Sequence, residues 1–420
     1  MGEVRRDWRT IVLAVGAAGS ALLAFALAAL MLISILLGAL SPSLASIDRT
    51  PLEMVVLASA LVVIGAVFLP GAYYSIQRLR GRDVPPAAPK LLKSWQAALI
   101  LLLWIGAALT AAWLLDQPIA KWVTPALYVL AIGLPVYFFA RLATGGLNAG
   151  SRQRVWGVLA TSIALGTTLS IVAELLAALL GLLGVGVYVA LHPEQLTTLR
   201  QLAVQLGNAS GLDQLLNTAG PWLNNPIAVL LALFFFSGFS PVTEETAKSL
   251  ATWAVFDHLT SPAQGFAVGA VSGAAFGLVE SLLVSASPDS NWTSTLLVRG
   301  ASTMMHIMAA SLTGWGIASY RVTKRPGRMI GMYALAMGLH GTWNACVVAI
   351  TFGGLRAALN GNASDAVALV MVYMGGSVLV VLCLLIPLAL GAINWRFRAT
   401  EAQASKRDAE TPSELSRTTP

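Results

Sequence analysis

The chain has 420 residues, of which 57% are hydrophobic and only 11% charged, less than half of the roughly 25% typical of a soluble domain. So few charges cannot cover a globule of this size, which excludes a water-soluble enzyme. The net charge of +7 sits mostly in short loops, which is a membrane-topology pattern and not a nucleic-acid surface.

The apolar residues come in long runs. A run of about 20 crosses the hydrocarbon core as a helix, because lipid offers no partner for backbone polar groups. The alternating strands of a barrel are absent. The expected fold is therefore all-α, a polytopic bundle of about ten transmembrane helices. The spans fall near 11–38, 54–76, 96–115, 123–143, 155–180, 226–257, 263–287, 296–320, 329–351 and 367–394. The first follows Arg5, Arg6 and Arg9. Its apolar run of about 28 residues exceeds the roughly 7–15 of a signal-peptide core, so it reads as an uncleaved helix.

Arg78, Arg80, Arg82, Lys90 and Lys93 follow the second span, and Arg141, Arg152 and Arg154 the fourth. Arg321, Lys324, Arg325 and Arg328 follow the eighth, and Arg396 and Arg398 the tenth. If the spans alternate, these groups share one side, which the positive-inside rule makes the cytoplasm, together with both termini. Arg299, near the outer end of the eighth span, is the main discordant charge.

Residues 1–191 form an N-terminal region of about five spans. The stretch 155–191 is too long for one span at about 1.5 Å per residue, and Gly181, Gly184 and Gly186 mark an expected break. Residues 192–225 form a longer outer loop, where Leu199, Leu202, Val204 and Leu206 suggest an amphipathic surface helix. Residues 226–351 hold a cluster of polar spans, 352–399 the last span, and 400–420 a polar tail expected to be disordered. Cys346 and Cys383, the two cysteines, lie in apolar spans and give neither a disulfide framework nor a metal pattern.

Charges inside a bilayer are costly and face protein or a wet cavity. Five places here break the apolar rule. Glu244-Glu245-Thr246-Ala247-Lys248 puts two carboxylates in the sixth span, with Lys248 one turn away from both. Adjacent carboxylates with one ammonium suit general acid–base chemistry. Glu280 ends Phe276-Gly277-Leu278-Val279-Glu280, behind Gly269, Gly273 and Gly277, which leave a smooth face for close helix packing. His306 lies in the middle of the eighth span. His340 and Asn344 share a face of the ninth. By rise per residue, Glu244, His306 and His340 all fall within roughly 10 Å of the midplane. Glu174, alone in the fifth span, reads as an interhelical hydrogen bond or a cavity-lining group.

These motifs, in this order, resemble the PrsW family of intramembrane proteases, within the superfamily of CAAX prenyl proteases and bacteriocin-processing enzymes. The family pattern is EExxK, FxxxE, a histidine in a further helix, and HxxxD/N. Here the matching residues are Glu244, Glu245 and Lys248, then Phe276 and Glu280, then His306, then His340 and Asn344. CAAX enzymes show EExxxR and FxxxH instead, so Lys248 and Glu280 favour the PrsW branch.

The resemblance, over about residues 226–351, implies a bacterial inner membrane protein. It implies an endopeptidase that cleaves a single-pass membrane-protein substrate such as an anti-sigma factor, with no nucleic-acid partner. Two chemistries stay open. In one, Glu244 or Glu245 is the base, Lys248 fixes the pair, Glu280 and His306 orient water, and His340 and Asn344 stabilise the oxyanion. In the other, Glu280, His306 and His340 hold zinc. The rival readings are a proton-coupled transporter, against which no internal repeat stands out, and a catalytically silent scaffold of the same fold.

Overall fold

The computed structural model describes residues 7–40, 51–87, 89–193, 225–289, 291–359 and 365–410, together with 196, 197, 200, 201, 204, 205 and 208. Of residues 405–410 only the backbone is described. The long helices among these residues are α1 (Trp8–Leu40), α2 (Pro51–Leu79), α3 (Ser94–Trp113), α4 (Ala120–Thr144), α5 (Arg152–Leu191) and α6 (Pro226–Trp253). They continue with α7 (Pro262–Val284), α8 (Trp292–Thr323), α9 (Pro326–Leu359) and α10 (Ala366–Glu410). There is no strand among the described residues. Nine of the helices are long and apolar enough to cross a membrane. The remaining one, α8, is 32 residues long and more polar, because it carries Arg299, His306 and several serines and threonines.

Local chemistry sets the helix ends. Ser151, Asn225 and Ser261 each accept a backbone N–H at the start of α5, α6 and α7, with Pro226 and Pro262 in the first turn. Lys324 ends α8 in the left-handed conformation.

Two expectations change. Gly181, Gly184 and Gly186 do not break the fifth span; α5 runs through them. In lipid a continuous helix keeps every backbone group paired, and a lone glycine costs only about 1 kcal/mol. The irregularity lies earlier, in a π turn at Ser162–Thr167. The polar tail is helical as far as Glu410, since Ala402, Gln403, Ala404, Lys406 and Arg407 are good helix formers. Residues 411–420 lie outside the described residues, as does most of the surface helix expected over 192–225.

The N-terminal helices are not separate from the polar cluster. One apolar core joins Ala17 and Ala21 of α1, Val56 and Phe68 of α2, Ala108 of α3, Tyr128 and Ile132 of α4 and Ile163 of α5 to Val279 and Leu282 of α7 and Trp292 of α8. The Tyr128 hydroxyl donates to the Leu282 carbonyl, and its ring stacks on Trp292 at 5.9 Å. A second core joins α4, α7, α8, α9 and α10 through Val136, Phe266, Ile307, Trp343 and Ile386.

The tightest approach is α7 against α8. A side chain at Gly265, Gly269 or Gly273 would run into the Gly314, Ala310 or His306 carbonyl. Small residues permit this contact, which lipid-embedded helices need because apolar burial drives them together only weakly. It brings Glu280 and His306 to one level.

Candidate active site

The site begins with a deformed helix. α6 widens into a π turn at Phe234–Phe239, ahead of Ser240 and Pro241, and then continues through Glu244, Glu245 and Lys248. Pro241 has no N–H and cannot close a standard turn, so the π turn absorbs the mismatch without ending the helix. Asn344 Nδ2 donates to the Phe236 carbonyl within this turn at 2.8 Å. Gly341, also on α9, has no side chain to meet the Ser237 carbonyl.

The π turn of α5 lies on the other side. Ser162 Oγ donates to the Ser272 carbonyl at 2.9 Å, and Ser272 Oγ donates to the Lys248 carbonyl at 2.8 Å. Two irregular turns thus bracket the 244–248 segment. π turns are frequent at functional sites.

Glu244, Glu245, Lys248, His306 and His340 are all buried. Lys248 Nζ lies 2.7 Å from Glu245 Oε1, 3.1 Å from Glu244 Oε2 and 2.8 Å from His306 Nδ1, and 4.1 Å from the centre of the Phe276 ring. An ammonium has only donors, so His306 Nδ1 is the acceptor and its Nε2 carries the proton. That Nε2 meets Glu280 Oε2 at 2.7 Å. His340 Nδ1 meets Glu245 Oε1 at 2.9 Å. A carboxylate only accepts, so His340 Nδ1–H donates and its Nε2 keeps a lone pair.

The two inner imidazole nitrogens, His340 Nε2 and the Lys248-bonded His306 Nδ1, therefore face Glu244. Glu244 Oε2 is 3.7 Å from His340 Nε2 and 3.9 Å from His306 Nδ1. The two rings stand edge to face, 5.0 Å apart. The two glutamates differ: Glu245 is sealed at 0% side-chain exposure and Glu244 is open at 9%.

Residues 175–384, half of the chain, match the family described as "PrsW family intramembrane metalloprotease". The chain belongs to the PrsW family. No curated protein and no solved structure matches it. As a PrsW family member it is a peptidase that acts within the membrane. Its surroundings are lipid and its substrate is a membrane protein. The match reaches beyond 226–351 at both ends.

In this PrsW protein the donor set that converges is Glu244, His306 and His340, whose ligand atoms lie within 4.8 Å of one another. Ligands about 2.1 Å from a tetrahedral ion stand about 3.4 Å apart; the two Glu244–histidine distances of 3.7 and 3.9 Å are close to that, and the widest edge of the set, up to 4.8 Å, would have to close by about 1 Å for one divalent ion to be held. The set expected from sequence joins Glu280, not Glu244, to the two histidines. Glu280 contacts the Nε2 of His306, the nitrogen turned away from Glu244. Glu280 therefore stands behind His306 and Glu245 behind His340, each fixing an imidazole by its outer nitrogen.

His340 and Asn344, expected at the oxyanion, each have a partner of their own. His340 Nδ1–H is engaged by Glu245, and one N–H of Asn344 is engaged by Phe236. Glu174 makes the expected interhelical contact, 2.7 Å to Ser240 Oγ, and Ser240 Oγ lies 2.9 Å from Glu244 Oε1.

Two residues escaped the sequence reading. Ser240 is four residues before Glu244 and so on its face, a signal that was available. Arg299 pairs with Glu280 at 2.8 Å across two helices, and no local spacing announces that.

Proposed function

We propose that the cluster of Glu244, His306 and His340 hydrolyses a peptide bond in the transmembrane region of a single-pass membrane protein, with one divalent ion, zinc by its donor set, held by Glu244 Oε2, His306 Nδ1 and His340 Nε2. The observation that carries this reading is the pairing of each histidine with its own outer carboxylate, Glu280 and Glu245, which turns the inner nitrogen of each ring toward Glu244. Such carboxylate–imidazole pairs fix ring orientation and raise ligand basicity. When bound, a zinc ion lowers the pKa of water and polarises a carbonyl.

The chain's own groups supply the rest. Glu244 Oε1, the oxygen facing Ser240, takes the proton from the attacking water and returns it to the leaving amine. Lys248 offsets the buried charge of the two glutamates and holds them apart. Asn344 Nδ2 has a second N–H beyond the one given to Phe236, and this is the side-chain donor available to the developing oxyanion. The substrate, by the family pattern, is an anti-sigma-factor-like protein of a bacterial inner membrane.

A second reading is a metal-free glutamate mechanism. It is favoured by Lys248 Nζ, which at 2.8 Å already takes the Nδ1 that a metal ion needs. One assay separates the two. Full-length protein in detergent is mixed with a candidate single-pass substrate, and cleavage is scored with and without a chelator. The leading reading expects loss of cleavage on chelation and recovery with zinc. It also expects a ~10²–10⁴-fold loss in Glu244→Gln. Cleavage indifferent to chelation but lost in Glu244→Gln moves the assignment to the metal-free mechanism.

The basic loops and both termini are placed in the cytoplasm by the same proposal. Single cysteines at Lys324 and Asp289, in a background without Cys346 and Cys383, should then label from opposite sides. Labelling from one side overturns the orientation of α8.

A further inference from the structure

We propose that Arg299 is a positioning residue of the site: its guanidinium holds the Glu280 carboxylate in place against His306 Nε2, and through it sets the imidazole with Nδ1 toward Glu244. This rests on the reading of Glu244, His306 and His340 given above. A single oxygen, Glu280 Oε2, lies 2.8 Å from the Arg299 guanidinium and 2.7 Å from His306 Nε2. The oxygen thus makes close ion-pair contacts with two groups of α8, one near the start of the helix and one at its middle.

The arrangement is built rather than incidental. The Arg299 and Glu280 side chains are only 17% and 27% exposed. The Arg299 carbonyl accepts the hydroxyls of Ser281, Ser302 and Thr303, which ties this turn of α8 to the turn of α7 just after Glu280. The next residue, Gly300, packs against the indole of Trp104 on α3, where a side chain would not fit. The backbone at Arg299 is therefore held on two sides, and its side chain has one anionic partner within reach. A guanidinium keeps its charge and presents a rigid planar fork, which a flexible ammonium reproduces only in part. This also accounts for the main discordant charge of the topology pattern: Arg299 serves the site.

The test is a double-mutant cycle on the purified full chain with Arg299→Met, Glu280→Gln and their combination, and Arg299→Lys as the conservative variant. Zinc affinity is read by competition with a chromogenic chelator, and cleavage is read as kcat and KM. Thermal unfolding in detergent identifies variants that fold. Loss of an outer partner of a ligand typically costs 10–100-fold. Arg299→Met should therefore weaken zinc binding by about that much and lower kcat with KM little changed, and Arg299→Lys should recover part of the loss. In the Glu280→Gln background, Arg299→Met should add less than about threefold, because its route is already cut. Affinity and kcat unchanged within about twofold in Arg299→Met, or effects that multiply in the double variant, would overturn the proposal. If the wild type cleaves without binding zinc, the ligand reading fails by itself. The cycle run on kcat then still decides whether Arg299 acts through Glu280. If Arg299→Met does not fold, Arg299→Gln and Arg299→Lys enter the cycle in its place.

Discussion

α5 and α7 are both apolar membrane helices that carry spaced glycines, yet 72% of the most apolar stretch of α7 is buried, against 6% for α5. The glycines of α7 recur every four residues, and Gly265, Gly269 and Gly273 face carbonyls of α8. Gly181, Gly184 and Gly186 of α5 face nothing within 4 Å. Since lipid solvates apolar side chains as well as a partner helix does, hydrophobicity does not decide which helices pack; the fit of small residues on one face does. The chemistry follows the packing. Glu280 and His306 meet where α7 and α8 are closest, whereas Glu174 of α5 reaches the site only through Ser240.

This contrast can be broken or sharpened by substitution. The largest effect should come from the buried charge at the centre. Lys248→Met leaves Glu244 and Glu245 without their shared cation, and breaking a buried pair costs about 3–5 kcal/mol. Arg9→Met removes a half-exposed partner of Asp257 at 3.7 Å and should cost under about 1 kcal/mol. Thermal unfolding and the yield of folded protein compare the two, and equal losses would contradict the picture of one dense polar centre.

Next come the glycines themselves. Gly269→Leu should destabilise by about 1–3 kcal/mol through overpacking. Gly184→Leu should change stability by no more than about 1 kcal/mol, in the direction of gain from helix propensity. A Gly184 variant as damaged as the Gly269 one would mean that another surface covers α5.

The smallest effect lies outside the membrane. Asp7 caps α1, accepting the Thr10 hydroxyl at 2.6 Å, and this bond holds its carboxyl below the ordinary range. A depressed folded-state value contributes stability above the unfolded value and loses it as pH falls through the folded one. The Asp7→Asn penalty should therefore be present at neutral pH, begin to fall near about pH 4 and vanish only below the depressed folded value. At so exposed a position it amounts to a few tenths of a kcal/mol, and comparing unfolding midpoints of the two proteins across that range measures it.

Much of this was legible in the sequence, for local reasons. Ten apolar runs correspond to the ten long helices because lipid allows little else. Glu244, Glu245 and Lys248 interact as their spacing requires. His306 and His340 join them because intramembrane polar residues face protein. What was not legible depends on which atom faces which partner across helices. Spacing cannot show that His306 turns Nε2 to Glu280 and Nδ1 inward, and so cannot show which glutamate the inner nitrogens face. Nor can it show that Asn344 braces a π turn, because the turn arises from Pro241 within a helix that continues past it.

The most direct test of the central claim is the metal content and zinc affinity of the purified full-length protein in wild type, Glu244→Ala, Glu280→Ala, His306→Ala and His340→Ala. The account predicts about one zinc per chain in wild type, lost with Glu244, His306 or His340, and retained at about 10–100-fold lower affinity without Glu280. Zinc retained in Glu244→Ala and lost in Glu280→Ala, or no zinc bound by an active wild type, would contradict it.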